Sequence, residues 1–315
     1  MSTLSFPIEK YEGTGNDFII VDEWQGEVVP EAYKSAVAGK LCRRGESIGA
    51  DGVLYWSRSP EADGRMRTFN ADGSEAEICG NGLRCVASYA FTNGQIKTTS
   101  LRVATMKGVS ELNLLLDDKG NIDRVRVLIA APVFTAGDIP MTGEPSRLVL
   151  DEEFFVSDEF GVLKITALTV GNPHVVIFVS DLEKTDVARL GAVIDRHPAF
   201  PNRTNVNFVQ IFDNKGFGIK TFERGVGLTL SCGTGVVSST AAGAVTGRLL
   251  FDTEVTAVTG GGRLGSECAR DGDSLKSYLI GPARRLFRGR TALDITPDGP
   301  VHPEGLPLRN KETFN

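Results

Sequence analysis

Short apolar and β-branched runs recur along the chain at Phe18 to Val21, Gly52 to Trp56, Leu101 to Ala104, Asp123 to Ile129 and Val175 to Val179, each bounded by turn-forming residues. Runs of this length and composition predict strands. Two longer segments, Leu83 to Phe91 and Val236 to Thr246, have helix length instead. The second is rich in Ala, Ser and Val and apolar on every side, the pattern of a helix buried within a domain. Each follows a Cys-Gly-x-Gly sequence, so Cys79 and Cys232 fall at helix N-termini.

The pattern is written twice, and a duplicated unit fixes architecture before local detail does. Gly15-Asn16 opens the run from Asp17 to Val21, and Gly171-Asn172 opens the run from Pro173 to Phe178. Further on, Phe69 lies ten positions before Cys79, and Phe222 lies ten positions before Cys232. Order and spacing are both preserved. The fold class expected is therefore α/β, with two pseudo-symmetric domains, each a mixed β-sheet wrapped around a central helix, and an active site in the cleft between them. The expected domains are 1–131, joined by a strand at 285–295, and 132–284. Residues 296–315, with four prolines, read as an extended tail.

Composition narrows the function classes. A length of 315 residues fits two domains, and 41% hydrophobic with 23% charged residues supplies two real cores. The net charge of −6 gives no basic field for nucleic acid or an anionic membrane, which favours a small-molecule partner. The N-terminus has no signal-peptide pattern and no stretch is apolar enough to span a bilayer, so a cytoplasmic protein is expected. Five cysteines, an odd number without framework spacing, suit free thiols in a reducing compartment. With no CxxC pair and no ligand spacing to the three histidines, no metal site is expected.

Taken singly, either cysteine reads best as a small buried hydrophobe, the reading kept for Cys42, Cys85 and Cys268. Matched positions in a duplicated element reverse this for Cys79 and Cys232. Inversion at a carbon acid needs two acid/base groups on opposite faces and stabilisation of the carbanion between them. A helix N-terminus favours the thiolate, and glycines beside it let backbone N–H groups approach a carboxylate. Gly80-Asn81-Gly82 and Gly233-Thr234-Gly235 meet that description. Such donors make proton abstraction conceivable without an imine cofactor, and neither a dinucleotide fingerprint nor a P-loop is present. No cofactor is expected.

Through Phe69-Asn-Ala-Asp-Gly-Ser-Glu75, Cys79-Gly-Asn-Gly-Leu-Arg-Cys85, Gly171-Asn-Pro-His174, Phe222-Glu-Arg-Gly225 and Cys232-Gly-Thr-Gly235, the chain closely resembles the diaminopimelate epimerases. Gly13-Thr-Gly-Asn-Asp-Phe18 and Gly49-Ala-Asp-Gly52 fit as well, and matches run from about residue 10 to Pro282. The resemblance implies conversion of L,L-diaminopimelate to the meso isomer, on the route to lysine and peptidoglycan. It implies that Cys79 and Cys232 are the catalytic acid/base pair, with Gly80, Asn81, Gly233 and Thr234 holding the carboxylate at the reacting centre. It further implies that Asn70, Asn172, Asn205 and Arg224 grip the distal carboxylate, that Glu223 receives the distal ammonium, that Asn16 contacts substrate, and that His174 lies near the thiols in a supporting role. A homodimer is the assembly expected. One departure stands out: Leu228 occupies a place where the family usually has Glu, just upstream of Cys232.

Each polar residue also has a bland reading. Asn16, Asn172 and Asn205 suit turns, Glu223 and Arg224 a solvated pair, and His174 a satisfied core histidine. Competing functions are a racemase of another amino acid such as histidine or proline, an isomerase of the phenazine-pathway type, and a non-catalytic amino-acid-binding or thiol-redox protein. Retention of Asn70, Asn172, Asn205, Glu223 and Arg224 opposes the first, because a substrate without a distal head would leave those groups unpaired. The cysteine pair opposes the second, and the glycines after both cysteines oppose the third.

Overall fold

A computed structural model of the chain describes residues 2–296 and 299–301. The chain divides into two compact units, residues 1–127 with 281–315, and residues 128–280. Most of the segment read as a tail, 297–298 and 302–315, lies outside the described residues.

The first unit opens with strands β1 (Ser2–Gly13) and β2 (Asn16–Glu23), helix α1 (Lys34–Leu41), and strands β3 (Gly52–Ser57), β4 (Gly64–Asn70) and β5 (Glu75–Ala76). Helix α2 (Gly80–Thr92) and strands β6 (Ser100–Thr105), β7 (Gly108–Leu116) and β8 (Ile122–Ala130) follow. The second unit contains β9 (Glu152–Ser157), β10 (Gly161–Thr169), β11 (Pro173–Phe178), α3 (Val187–Asp195), β12 (Asn205–Asp213), β13 (Gly216–Glu223) and β14 (Gly227–Thr229). Helix α4 (Gly233–Val245) and strands β15 (Val255–Thr259), β16 (Gly262–Asp271) and β17 (Ser274–Gly281) complete it. The chain then returns to the first unit as β18 (Arg284–Thr296), against which β19 (Gly299–Val301) turns back.

The two units are built by the same pairing rules. In the first, β1 pairs antiparallel with β2, β2 parallel with β3, β3 antiparallel with β4, β4 parallel with β6, and β6 antiparallel with β7. In the second, β10, β11, β12, β13, β15 and β16 repeat that series with the same senses. Both parallel steps need a crossover, and a helix supplies it each time: α1 and α3 in the first step, α2 and α4 in the second. The outer partner of the first strand is β18 in one unit and β9 in the other, both antiparallel. The pseudo-symmetric, two-unit mixed α/β fold read from the sequence is the fold observed.

Each unit wraps its sheet around one helix. Every residue of α2 from Gly82 to Ala90 is buried, as is every residue of α4 from Gly235 to Ala244. Val236, Val237, Ala241 and Ala242 of α4 pack among Val176, Val209, Phe217, Val255, Leu264 and Leu279, strand residues of the same unit. Small side chains let the helix sit close to its sheet while still removing apolar surface from water.

Both central helices begin one turn earlier than the apolar pattern indicated. The capping residues are the cysteines themselves, Cys79 at φ −140° and ψ 108° and Cys232 at φ −122° and ψ 109°, extended backbone from which the helix starts. The ends match too: Gly94 and Gly247, at φ 69° and 73°, take the left-handed conformation that closes a helix C-terminus. Gly15 and Gly171, at φ 86° and 101°, place Asn16 and Asn172 at equivalent turns. Among the described residues, no helix is long and apolar enough to cross a membrane.

Candidate active site

In the first unit, the half-buried Cys79 accepts the Gly82 N–H at its Sγ over 3.3 Å. Burial pushes this thiol up, while the N–H groups of Gly82 and Asn81 and the Arg84 guanidinium pull it down and Asp51 opposes them. Asn81 donates through Nδ2 to Asn16 Oδ1 and accepts from Arg84 Nη2 at its own Oδ1. Asn16 donates in turn to Asp51 Oδ2 at 3.1 Å. Arg84 can only donate and the Asp51 carboxylate can only accept, so the polarity of both amides between them is fixed. One amide N–H of Asn16 and one of Asn81 are not used in this chain of bonds. Asn70 sits apart from this chain, exposed and bonded to Ser74 Oγ at 2.9 Å.

The second unit repeats the capped thiol. Cys232, 8% exposed, accepts the Gly235 N–H at 3.3 Å and lies 3.5 Å from Thr234 Oγ1. Burial, reinforced by the nearby Glu223 carboxylate, pushes its thiol up to about 11 against the hydrogen bonds from Thr234 and Gly235. Glu223 itself accepts the Thr229 hydroxyl at 2.7 Å. Two charges of opposite sign, the Arg84 guanidinium and the Asp51 carboxylate, thus act on Cys79, whereas the charge beside Cys232 is the Glu223 carboxylate.

His174 is wholly buried and joins two of the expected residues. Its Nε2 lies 3.2 Å from Asn172 Oδ1 and 3.1 Å from Thr234 Oγ1. Its Nδ1 lies 3.0 Å from Asn207 Nδ2. Asn207 also donates to Val175 O at 3.1 Å and accepts the Thr221 hydroxyl at 3.0 Å, which orients its amide. With a donor on Nδ1, the ring proton belongs on Nε2, and the hydrogen-bond network thereby assigns a neutral tautomer that donates toward Thr234 and Asn172. Burial, and then the Arg224 charge, hold His174 down at about 3, so it stays uncharged at neutral pH.

Asn205 is buried and serves the backbone: Nδ2 donates to Pro173 O at 3.0 Å and Oδ1 accepts the Arg224 N–H at 3.1 Å. It thus shapes the turn that presents Arg224, whose exposed guanidinium reaches Asn202 O at 3.4 Å. Asn172, His174, Thr234 and Cys232 form one connected group, with Glu223 beside the thiol. Sequence reasoning missed Arg84, Asp51, Asn207 and Thr221, the residues that orient the others. Two signals were available: Asn207 shares a strand face with Asn205, and Arg84 is the one charge within an otherwise uncharged helix. Leu228 stands on β14 at 49% exposure. All five cysteines are free thiols, and the described residues contain no group of His, Cys, Asp or Glu able to hold a metal ion.

A fold made of two equivalent units, each a mixed sheet wrapped around a central helix, is also seen in solved structures. A phenazine-biosynthesis protein of the PhzF family from Bacillus anthracis superposes with a TM-score of 0.65 at 20% identity, covering 92% of this chain and 99% of that one. A hydroxyproline epimerase from Agrobacterium vitis gives 0.62 at 16%, covering 95% and 94%. At these identities the likeness is one of fold. Sequence goes further: the diaminopimelate epimerase family model matches residues 8–134 and 166–286. The diaminopimelate epimerase of Methanothermobacter thermautotrophicus is 40% identical over 281 residues, 89% of this chain and 96% of the relative. That of Pelotomaculum thermopropionicum is 41% identical over 280 residues, with the same coverage. The chain belongs to the diaminopimelate epimerase family, and is accordingly an isomerase.

Proposed function

We propose that the protein interconverts L,L- and meso-diaminopimelate by moving a proton through one α-carbon of the substrate, with Cys79 and Cys232 as the two acid/base groups. The observation that carries this reading is the matched capping geometry: each Sγ accepts a helix-start N–H at 3.3 Å, on equivalent helices of two units with equivalent topology. The thiolate takes the α-proton and leaves the electron pair as an enolate-like carbanion. The second thiol gives its proton to the opposite face of that carbon, and the thiol and thiolate roles are exchanged at the end.

The carbanion needs its charge spread onto a carboxylate held by donors placed beforehand. Backbone N–H groups at Gly80 and Asn81 and at Gly233 and Thr234 are assigned to that carboxylate, since helix N-termini favour anions. Asn16 adds its remaining amide N–H. His174, uncharged, keeps Asn172 and Thr234 in place. At the distal centre, Asn70, Asn172, Asn205 and Arg224 are assigned to the carboxylate and Glu223 to the ammonium, the charge-assisted contacts that tell a second amino-acid head from a plain side chain. Thiols and backbone donors suffice for this chemistry, so no cofactor is invoked. We place the enzyme in the cytoplasm as a homodimer without nucleic-acid or membrane partners; gel filtration with light scattering tests the assembly.

The deciding experiment incubates freshly reduced protein with L,L-diaminopimelate in deuterium oxide and follows it by NMR and chiral chromatography. Meso product with deuterium at one α-carbon is expected, and Cys79→Ala and Cys232→Ala should both lose inversion. Absence of exchange and inversion in the reduced wild type would overturn the assignment.

A further inference from the structure

Arg84 has no solvent exposure and no carboxylate partner among the described residues. Its hydrogen bonds go to neutral acceptors: Thr14 Oγ1 at 3.2 Å, Pro282 O at 2.8 Å and Asn81 Oδ1. Among the described residues, its Nε has no hydrogen-bond partner. A buried guanidinium solvated only by dipoles is expensive, and ordinarily such a charge is paired. Its place on α2 makes the matter worse, for it lies within the first two turns, where a cation adds to the positive end of the helix dipole, and the first turn contains no acid. What would balance both is an anion at the mouth of the helix, where Cys79 sits.

The second unit lacks this arrangement. The position five residues after the capping cysteine is Arg84 in α2 and Val237 in α4. In place of a buried cation, Cys232 has the Glu223 carboxylate beside it. The other charged groups are already engaged. Asp51, which faces Cys79, pairs with Arg44 at 2.7 Å, and Glu12, which faces Arg84, pairs with Arg284 at 3.1 Å and accepts the Gly15 N–H at 2.9 Å. Cys85, also beside Arg84, is pushed up by complete burial and stays a thiol.

We propose that Arg84 is a positioning residue that acts through Cys79: its buried, unpaired guanidinium makes Cys79 the thiol that ionises first, so the free enzyme rests with Cys79 as thiolate and Cys232 as thiol. The two units of a near-symmetric fold are thereby given different starting protonation states. One substrate isomer finds its base ready on binding, and the other reacts only with enzyme left in the opposite state by a preceding turnover. The same guanidinium also orients the Asn81 amide.

This inference rests on the proposed role of Cys79 as a base, but its test reads ionisation without turnover. Reduced full-length enzyme is pulsed with iodoacetamide, a neutral alkylator, from about pH 5.5 to 10, and each cysteine's rate is read by peptide mass spectrometry. The midpoint of each pH–rate profile reports ionisation whatever the access to the thiol. Cys79 is expected to have its midpoint below that of Cys232 by at least about one unit, tenfold in rate at a fixed pH between them. Arg84→Met should move the Cys79 midpoint up by about one unit and leave Cys232 unmoved, while Arg84→Lys restores most of the shift. Coincident midpoints in the wild type, or an unmoved Cys79 midpoint in folded Arg84→Met, overturns the proposal. Should Arg84→Met fail to fold, the wild-type order and the Arg84→Lys profile decide it. Loss of the isotope exchange described above would sink the functional reading and leave this titration standing.

Discussion

Asn207 donates one amide nitrogen to both His174 Nδ1, at 3.0 Å, and the Val175 carbonyl, at 3.1 Å. The neutral tautomer of His174 follows from that bond, and so does a prediction. Asn207→Asp replaces the donor by an acceptor, which favours a proton on Nδ1 and an imidazolium ring. Nitrogen-15 NMR of the imidazole should show a charged ring near neutral pH in the variant and a neutral Nε2–H ring in the wild type. A neutral, unchanged ring in Asn207→Asp would refute the assignment. Asn207→Leu should cost about 1–3 kcal/mol in urea unfolding, because it strands a buried ring nitrogen.

Burial holds His174 at about 3 against an ordinary 6.5, so folding resists its protonation. Below the ordinary value the unfolded chain binds a proton that the folded one refuses, and stability is lost as pH falls from about 6.5 toward about 3. Asp17 is lowered to about 2 from 3.8 through Arg44 and Lys10, which act against its burial, so its loss comes later, below about 3.8. Melting temperature should therefore begin to fall near pH 6.5, and His174→Gln should flatten the curve between about 6.5 and 4. Parallel curves for the two proteins over that interval would show that His174 does not carry the effect.

Gly235 is needed for space rather than for its backbone angle. A Cβ there would lie 2.5 Å from Asn207 Oδ1 and 3.0 Å from Thr221 Oγ1, inside the network that orients His174. Gly235→Ala should lower stability by about 1–3 kcal/mol and reduce inversion with it. Gly94→Ala, where no atom lies within 4 Å but φ is 69°, is the control: it should cost stability through strain while leaving activity per folded molecule intact. Equal activity per folded molecule in both variants would remove the network from the argument.

The family glutamate missing at Leu228 should matter little to the thiol. Leu228 is half exposed, and the carboxylate that pushes Cys232 up is Glu223. Leu228→Glu is expected to change stability by less than about 0.5 kcal/mol and to leave the Cys232 alkylation midpoint in place. Glu223→Gln should lower that midpoint. The reverse pattern would transfer the tuning role to the exposed position.

The duplicated Gly-Asn and Cys-Gly-x-Gly elements made the two-unit fold and the capped thiols legible, because spacing survives when local propensity is weak. The apolar pattern alone starts each central helix a turn late, since two glycines in three residues mask the first turn, whereas the position of the cysteines marks the true start. Helix α3 was missed although Asp186 caps it and Val187, Leu190 and Ile194 give its apolar spacing. Helix α1 offered less: the buried Lys34, held by Glu23 at 3.0 Å, stands where an apolar residue would have marked the inner face. The strand β19 was hidden in a proline-rich stretch. The residues that orient the site gave only weak signals, a lone charge in α2 for Arg84 and a strand face shared with Asn205 for Asn207, because their role lies in tertiary neighbours that spacing does not record.

The pairing of β1 with β18, with Thr3 opposite Asp294, reverses the order in which the units can be finished during synthesis. All strands of the second unit are encoded within one unbroken stretch, whereas the first unit, though it leaves the ribosome earlier, waits for Arg284–Thr296 to cover the open edge of β1. The nascent chain must therefore carry an exposed strand edge through most of translation, and a truncation before Arg284 should turn that passing hazard into lasting aggregation.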